Sequence, residues 1–253
     1  MPNTKLTKAL LKNHYHYGKM IYIAIILIAV LVADIIFTAT VYRAPNENRV
    51  DIHLIAHYID FNRDFDGYEA LMLQAGQDYE RSRDAAAGID VNSPSYKVPL
   101  HVVEITGMPY DANSEDFYYQ QQKYALMLTM QEGDILVLPR EMMNELAETG
   151  MLADLMPYVE SGMLRPGDMK RAMYYEYTEE DEEYEEDEES AASPRKQCLY
   201  GLSTESLTGM YRALGIDYRD KYVVVLAYGG NNDTAAAVIQ WMIDEFTEAE
   251  AAQ

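Results

Sequence analysis

The stretch Ile21 to Tyr42, IYIAIILIAVLVADIIFTATVY, constrains this chain more than any other, because its one formally charged side chain is Asp34. Its 22 residues, as a helix rising about 1.5 Å per residue, reach roughly 33 Å against a hydrocarbon core of about 30 Å. Thirteen of them are Ile, Leu, Val or Phe, contributing about −4 to −8 kcal/mol to insertion against about +2.5 to +3.5 for the aspartate. The balance predicts a membrane span over residues 20–43, with Asp34 tolerated past the midpoint or touching a membrane partner or a second copy. Lys5, Lys8, Lys12 and Lys19 precede the span and no acidic residue precedes Asp34. The positive-inside rule therefore puts residues 1–19 in the cytoplasm and 44–253 outside it. The apolar run is longer than the roughly 7–15 residues of a cleaved signal, and Tyr42-Arg43-Ala44-Pro45 is a poor cleavage sequence, so the expectation is an uncleaved, single-pass signal anchor in the cell membrane.

Beyond the anchor, residues 44–253 carry 15 basic against 41 acidic side chains, a net of −26. Such a charge opposes nucleic acid and anionic lipid as partners and favours solubility or basic surfaces. Cys198 is the only cysteine, so the exterior part holds no internal disulfide and must rely on its core. A thiol preceding Leu199 and Tyr200 reads as a small buried hydrophobe rather than a nucleophile.

Strand and helix patterns alternate along this exterior part. Val50 to Tyr58 alternates as a strand with Ile52, Leu54, Ala56 and Tyr58 on its buried face. Tyr68 to Arg83 has helical periodicity, Lys97 to Thr106 reads as a strand, and Ser114 caps a helix running to about Glu132. Asp134 to Leu138 is continuously apolar, as a doubly buried strand is, and a helix from Arg140 to Thr149 follows Pro139. After Gln197 to Leu202, a helix near Thr204 to Leu214 leads to the strand Lys221 to Tyr228, then a Gly229-Gly230-Asn231-Asn232 turn and a helix capped by Asp233. Strands separated by helices predict an α/β fold with a mostly parallel sheet. Eleven of the fourteen residues from Glu176 to Glu189 are acidic, so a disordered, solvated insertion is expected at about residues 174–194.

No motif in this part carries chemistry. His53 and His57, four residues apart on a strand, stand about 13 Å from each other and do not share a metal. Asn62 to Gly67 starts like a calcium loop, but the position that needs a bidentate glutamate is Leu73. The glycine-rich turn at Gly229 has neither dinucleotide nor P-loop spacing. No metal and no cofactor are therefore expected.

Gly133 to Glu160, GDILVLPREMMNELAETGMLADLMPYVE, resembles the first-lobe segment of extracellular solute-binding proteins of ABC importers, with Gly150-Met151-Leu152 and Leu155-Met156-Pro157-Tyr158 at its turn and closing segment. Tyr200-Gly201-Leu202-Ser203 is similar to a late strand of that family, and Val223 to Phe246 to its final strand and alanine-rich helix. The resemblance implies one lobe of a type 2 periplasmic binding protein, in a small membrane-anchored relative without a second lobe.

The expected function is thus a membrane-anchored extracytoplasmic binding or interaction module without catalysis, taking a small-molecule or peptide ligand. Topology places its crevice beyond the C-terminal strand ends, near Tyr58, Asp60, Thr106, Pro139, Arg140, Gly229, Gly230 and Asn231. Two alternatives stand beside it. One is an accessory subunit of a membrane complex, held through Asp34 and the acidic run or by self-association. The other is a hydrolase assembled from scattered groups such as His53, His57 and Asp60.

Overall fold

The computed structural model describes residues 21–33, 35–36, 45–175 and 197–247. The chain divides into two units, Met1–Arg43 and Ala44–Gln253. In the first, residues 21–33 and 35–36 are helical (α1) and exposed. No helix among the described residues is long and apolar enough to cross a membrane. Met20, Asp34 and residues 37–43, which complete the expected span, lie outside the described residues, as do the expected cytoplasmic segment 1–19 and the acidic run within 176–196.

The second unit runs β1 (Arg49–Ala56), α2 (Asp66–Ala86), β2 (Val102–Pro109), α3 (Phe117–Thr129), β3 (Ile135–Pro139), α4 (Arg140–Glu148), α5 (Met156–Glu160), β4 (Arg171–Tyr175), β5 (Gln197–Ser203), α6 (Gly209–Leu214), β6 (Lys221–Val225) and α7 (Asn232–Phe246). It is an α/β fold in which helices flank a six-stranded sheet of order β2-β1-β3-β6-β5-β4. The sheet is mixed, which corrects the expectation of a mostly parallel one. β1 pairs in parallel with β2 and β3, whereas β6 runs antiparallel to β3 and β5, and β4 antiparallel to β5. The C-terminal ends of β1, β2, β3 and β5 consequently share one edge of the sheet with the start of β6, where Pro139 pairs with Lys221 and Ser203 with Tyr222.

Both faces of the sheet are covered. Ile52, Leu54, Val137, Val223 and Val225 join residues of α2, α6 and α7 on one side, and Ile55, Leu136, Leu138, Val224 and Leu226 join Met127 of α3 and Met142, Met143 and Leu146 of α4 on the other. Each fully buried Leu or Ile contributes about 1.5–3 kcal/mol, so β3 and β6, buried nearly throughout, anchor two cores at once. β1 follows the same rule: Asp51 and Ile55 are buried with Ile52 and Leu54, so the strand does not have the one solvated face its alternation suggested.

Helix α2 lies against α7 so closely that a Cβ on Gly76 would stand 2.5 Å from Leu100 Cδ2 and 3.3 Å from Thr234 Cγ2. Beside it the buried Glu80 carboxylate accepts the Leu100 amide at 2.7 Å and the Thr234 hydroxyl at 3.1 Å, tying both helices to the segment before β2. Also from α2, Glu69 accepts the Ile105 amide of the outermost strand β2 at 2.8 Å.

Most element positions shift by a few residues from the expected ones. β2 starts at Val102 rather than Lys97, because Pro99 precedes the strand and its carbonyl instead accepts the Asn48 side chain at 2.7 Å. The capping residue of α3 is Asp116, not Ser114, and that of α7 is Asn231, not Asp233, whose carboxylate takes the Tyr158 hydroxyl at 2.8 Å. The expected helix at 204–214 is a 3-10 turn, Thr204–Ser206, followed by the short α6. β4 and α5 carried no pattern strong enough to anticipate.

Candidate functional site

In an α/β sheet a ligand crevice forms where successive connections leave a strand in opposite directions, beyond the C-terminal strand ends. Here that point is β1 and β3: the chain passes from β1 to β2 on one side and then to β3 on the other. Beyond the end of β1 the chain turns at Tyr58 and Ile59, and Ile59 bridges Ile216 ahead of β6. That bridge draws the β5–β6 connection over the edge. A groove of about 550 Å³ results, lined by Tyr58, Thr208, Tyr211, Asp217, Tyr218 and Arg219.

The lining is aromatic and internally neutral. Tyr58 is 60% and Tyr211 53% exposed, since α6 turns Met210, Ala213 and Leu214 inward and leaves Tyr211 facing out. Arg219 donates Nε and Nη2 to the two oxygens of Asp217 at 3.0 and 3.2 Å. These bonds hold the Asp217 carboxyl below the usual carboxylate range and raise the Arg219 guanidinium.

Asp60 belongs to the wall beneath rather than to the lining. It accepts the Asn62 amide at 3.1 Å and the Asn62 side chain at 3.0 Å, stands 3.3 Å from the Arg63 guanidinium, and is lowered in pKa chiefly by the Asn62 bonds. Its own amide bonds the carbonyl of Gly215 at 3.0 Å. Gly215, at φ 66°, leaves no room for a side chain, because a Cβ would stand 2.8 Å from Asp60 Cβ.

Of the residues the sequence singled out, Tyr58, Asp60, Pro139 and Arg140 come to this edge. Arg140 starts α4 and holds its guanidinium 5.8 Å above the Tyr222 ring. Thr106 is three residues short of the end of β2, paired with His53. Gly229, Gly230 and Asn231 lie at the opposite edge, because they follow β6 and β6 runs antiparallel to β3. The grouping of all eight in one crevice is thereby corrected. Thr208, Tyr211, Asp217, Tyr218 and Arg219 were missed; the one local sign was the outward phase of Tyr211 among apolar neighbours.

The opposite edge forms a different kind of corner, lined by Arg49, Asp51, Gly133, Asp134, Tyr228, Gly229 and neighbours around a space of only about 30 Å³. Asp134 accepts the Asp51 amide at 2.8 Å, and burial, more than the nearby Asp51 charge, pushes its carboxyl up to about 6. Asn231 donates to the carbonyls of Asn46 and Arg49 at 2.5 and 2.8 Å. A Cβ on Gly229 would stand 2.8 Å from Asp134 Oδ1. Next to this corner both ring nitrogens of His53 are shut away from solvent without a hydrogen-bond partner, and burial lowers the imidazole to about 4. No room for a ligand remains there.

The groups considered for hydrolysis are held apart. His53 is enclosed, His57 is exposed with Nδ1 3.9 Å from Asp111, and Asp60 serves its turn. Among the described residues no cluster of three or more His, Cys, Asp or Glu is placed to hold a metal. Cys198 is buried, as expected. No family model, curated protein or solved structure matches the chain. The function is therefore argued from the groove.

Proposed function

We propose that this chain is a binding module, displayed outside the cell on a single-pass anchor at residues 20–43, with its ligand seated in the tyrosine-lined groove and no catalysis of its own. The observation that carries the reading is the groove itself: three tyrosines and one ion pair closed on itself, between the C-terminal end of β1 and the β5–β6 connection. The similarity of Gly133 to Glu160 and of Tyr200 to Ser203 to solute-binding proteins supports the same reading, as one lobe of that kind acting without its second. The anchor rests on the apolar run and its basic flank.

The test is thermal unfolding of the purified full-length chain in detergent against panels of amino acids, peptides and sugars, with and without calcium. A ligand at about a hundred times its dissociation constant adds about 2.7 kcal/mol. A shift that Tyr58→Ala abolishes supports the reading; no shift with any class overturns it.

A second reading, an accessory subunit of a membrane complex, draws on α3. Tyr119, Leu126 and Met130, spaced to fall on one helical face, are 68%, 60% and 61% exposed. On that reading a partner co-purifies with the wild type and is lost on Leu126→Glu or on Asp34→Leu, while Tyr58→Ala retains it.

A further inference from the structure

We propose that the groove beside Tyr58 takes an extended, uncharged saccharide chain, with sugar rings laid against the tyrosines and hydroxyls bonded to the Asp217–Arg219 pair. The inference rests on the reading of this groove as the ligand site, and it names the ligand's chemistry.

Three features of the groove select that chemistry. The first is the state of its aromatic rings. Tyr222 is packed into a core and Tyr124 lies against Tyr110, while Tyr118, Tyr119 and Tyr175 are exposed without lining this groove. Tyr58 and Tyr211 keep more than half their surface in water and line one groove together. An open ring face is a flat, polarisable platform, and the face of a pyranose that carries axial C–H groups is its complement.

The second feature is charge. Arg219 and Asp217 compensate each other through two parallel bonds, so an ionic ligand finds no uncompensated partner. The exterior part is strongly acidic besides, which repels anionic polymers. A neutral ligand escapes both objections.

The third is the mixture of donors and acceptors. Two of the five N–H groups of Arg219 are engaged by Asp217, and the carboxylate keeps lone pairs free of those bonds. Donors and acceptors thus sit side by side, with the Thr208 hydroxyl on the same lining. A sugar hydroxyl both donates and accepts, so vicinal hydroxyls satisfy the pair from either side. A proline-rich peptide, the other usual occupant of aromatic grooves, brings carbonyl acceptors and few donors, and would desolvate Asp217 without repaying it.

The shape favours a chain over a single sugar. Enclosed pockets bury 70–90% or more of a small ligand, whereas this groove lies along one edge of one lobe. An extended polymer gathers contact along its length and runs out at both ends.

The experiment is affinity electrophoresis of the full-length protein in a detergent without a sugar headgroup, through gels containing starch, laminarin, xylan or hydroxyethylcellulose. Retardation by at least one of these neutral polysaccharides is expected, with Tyr58→Ala and Tyr211→Ala each weakening it roughly tenfold while leaving the thermal midpoint in place. Asp217→Asn weakens it as well. Retardation that persists undiminished in both tyrosine variants overturns the proposal, because the sugar then binds elsewhere. No retardation by any of the four also overturns it. If a peptide or amino-acid panel shifts unfolding through Tyr58 in that case, the groove remains a ligand site and only the saccharide assignment fails; with no shift from any panel, both fail together.

Discussion

The two edges of the sheet use polar residues in opposite ways. At the edge beyond β1, tyrosines stand open to water and the groove's ion pair, Asp217–Arg219, compensates itself. At the other, carboxylate, imidazole and glycine backbone fill the space, and Asp134 and His53 are held far from their ordinary pKa values. Burial of polar groups is what separates them. An edge that has spent its polar groups on internal packing has nothing to offer a ligand, while an edge that leaves its rings unpacked contributes little to stability and is free to bind.

The sharpest way to break this contrast is at Gly133, which sits at φ 99° with a would-be Cβ 2.7 Å from His53 Cδ2. Gly133→Ala is expected to cost about 2–5 kcal/mol in urea unfolding, from backbone strain together with overpacking. A cost below about 0.5 kcal/mol would mean that the corner is looser than its geometry.

Titration sharpens the contrast further. Asp134, raised to about 6, binds a proton in the folded chain that the unfolded chain has released, so its contribution falls as pH rises from about 4 to about 6. His53, lowered to about 4, does the reverse: its contribution is lost as pH falls from about 6.5 towards 4. Each is of order 3 kcal/mol at most, from the size of the shift, and between pH 4 and 6 they oppose each other. In Asp134→Asn the His53 slope is exposed, and stability rises with pH across this window relative to wild type. In His53→Gln the Asp134 slope is exposed and stability falls. Parallel pH profiles for the two variants would remove the closed corner from the account.

The smallest effect is expected at the open edge. Tyr211→Ala and Arg219→Ala should each leave unfolding within about 0.5 kcal/mol of wild type, since neither removes a buried contact and exposed ion pairs contribute little. A loss of 2 kcal/mol or more, on the order of a core truncation, would show that the groove is packing rather than a site.

How far the sequence foretold this arrangement differs between strands and site. The runs at β3 and β6 were legible because burial on both faces leaves an unbroken apolar stretch, Ile135 to Leu138 and Tyr222 to Val225. Their relative direction was not, because side-chain alternation reads the same from either end of a strand. A mostly parallel sheet carries Gly229, Gly230 and Asn231 to the C-terminal strand ends, whereas the antiparallel β6 puts them at the opposite edge. Tyr58 was legible as the end of the alternating strand, but the alternation put it on the buried face, whereas β1 stops at Ala56 and leaves Tyr58 60% exposed. Its companions Tyr211 and Tyr218 come from some 150 residues further along, and the Ile59–Ile216 bridge, with Gly215 packed on Asp60, brings the two segments together.

The bond from Glu69 to the Ile105 amide has a consequence for the behaviour of the protein in acid. β2 is the outermost strand, and an unpaired outer strand is a template on which another chain can add. The Glu69 carboxylate occupies one of its outward amides. Burial, together with the Asp66, Glu104 and Asp64 charges, raises the Glu69 pKa above that of an ordinary glutamate. Acidification thus neutralises this plug at a higher pH than an ordinary glutamate would require. In the same range the net charge of −22, which keeps copies apart, drains away. Two guards against strand-to-strand assembly fail together, so mild acid is where this protein should first cluster, growing from β2.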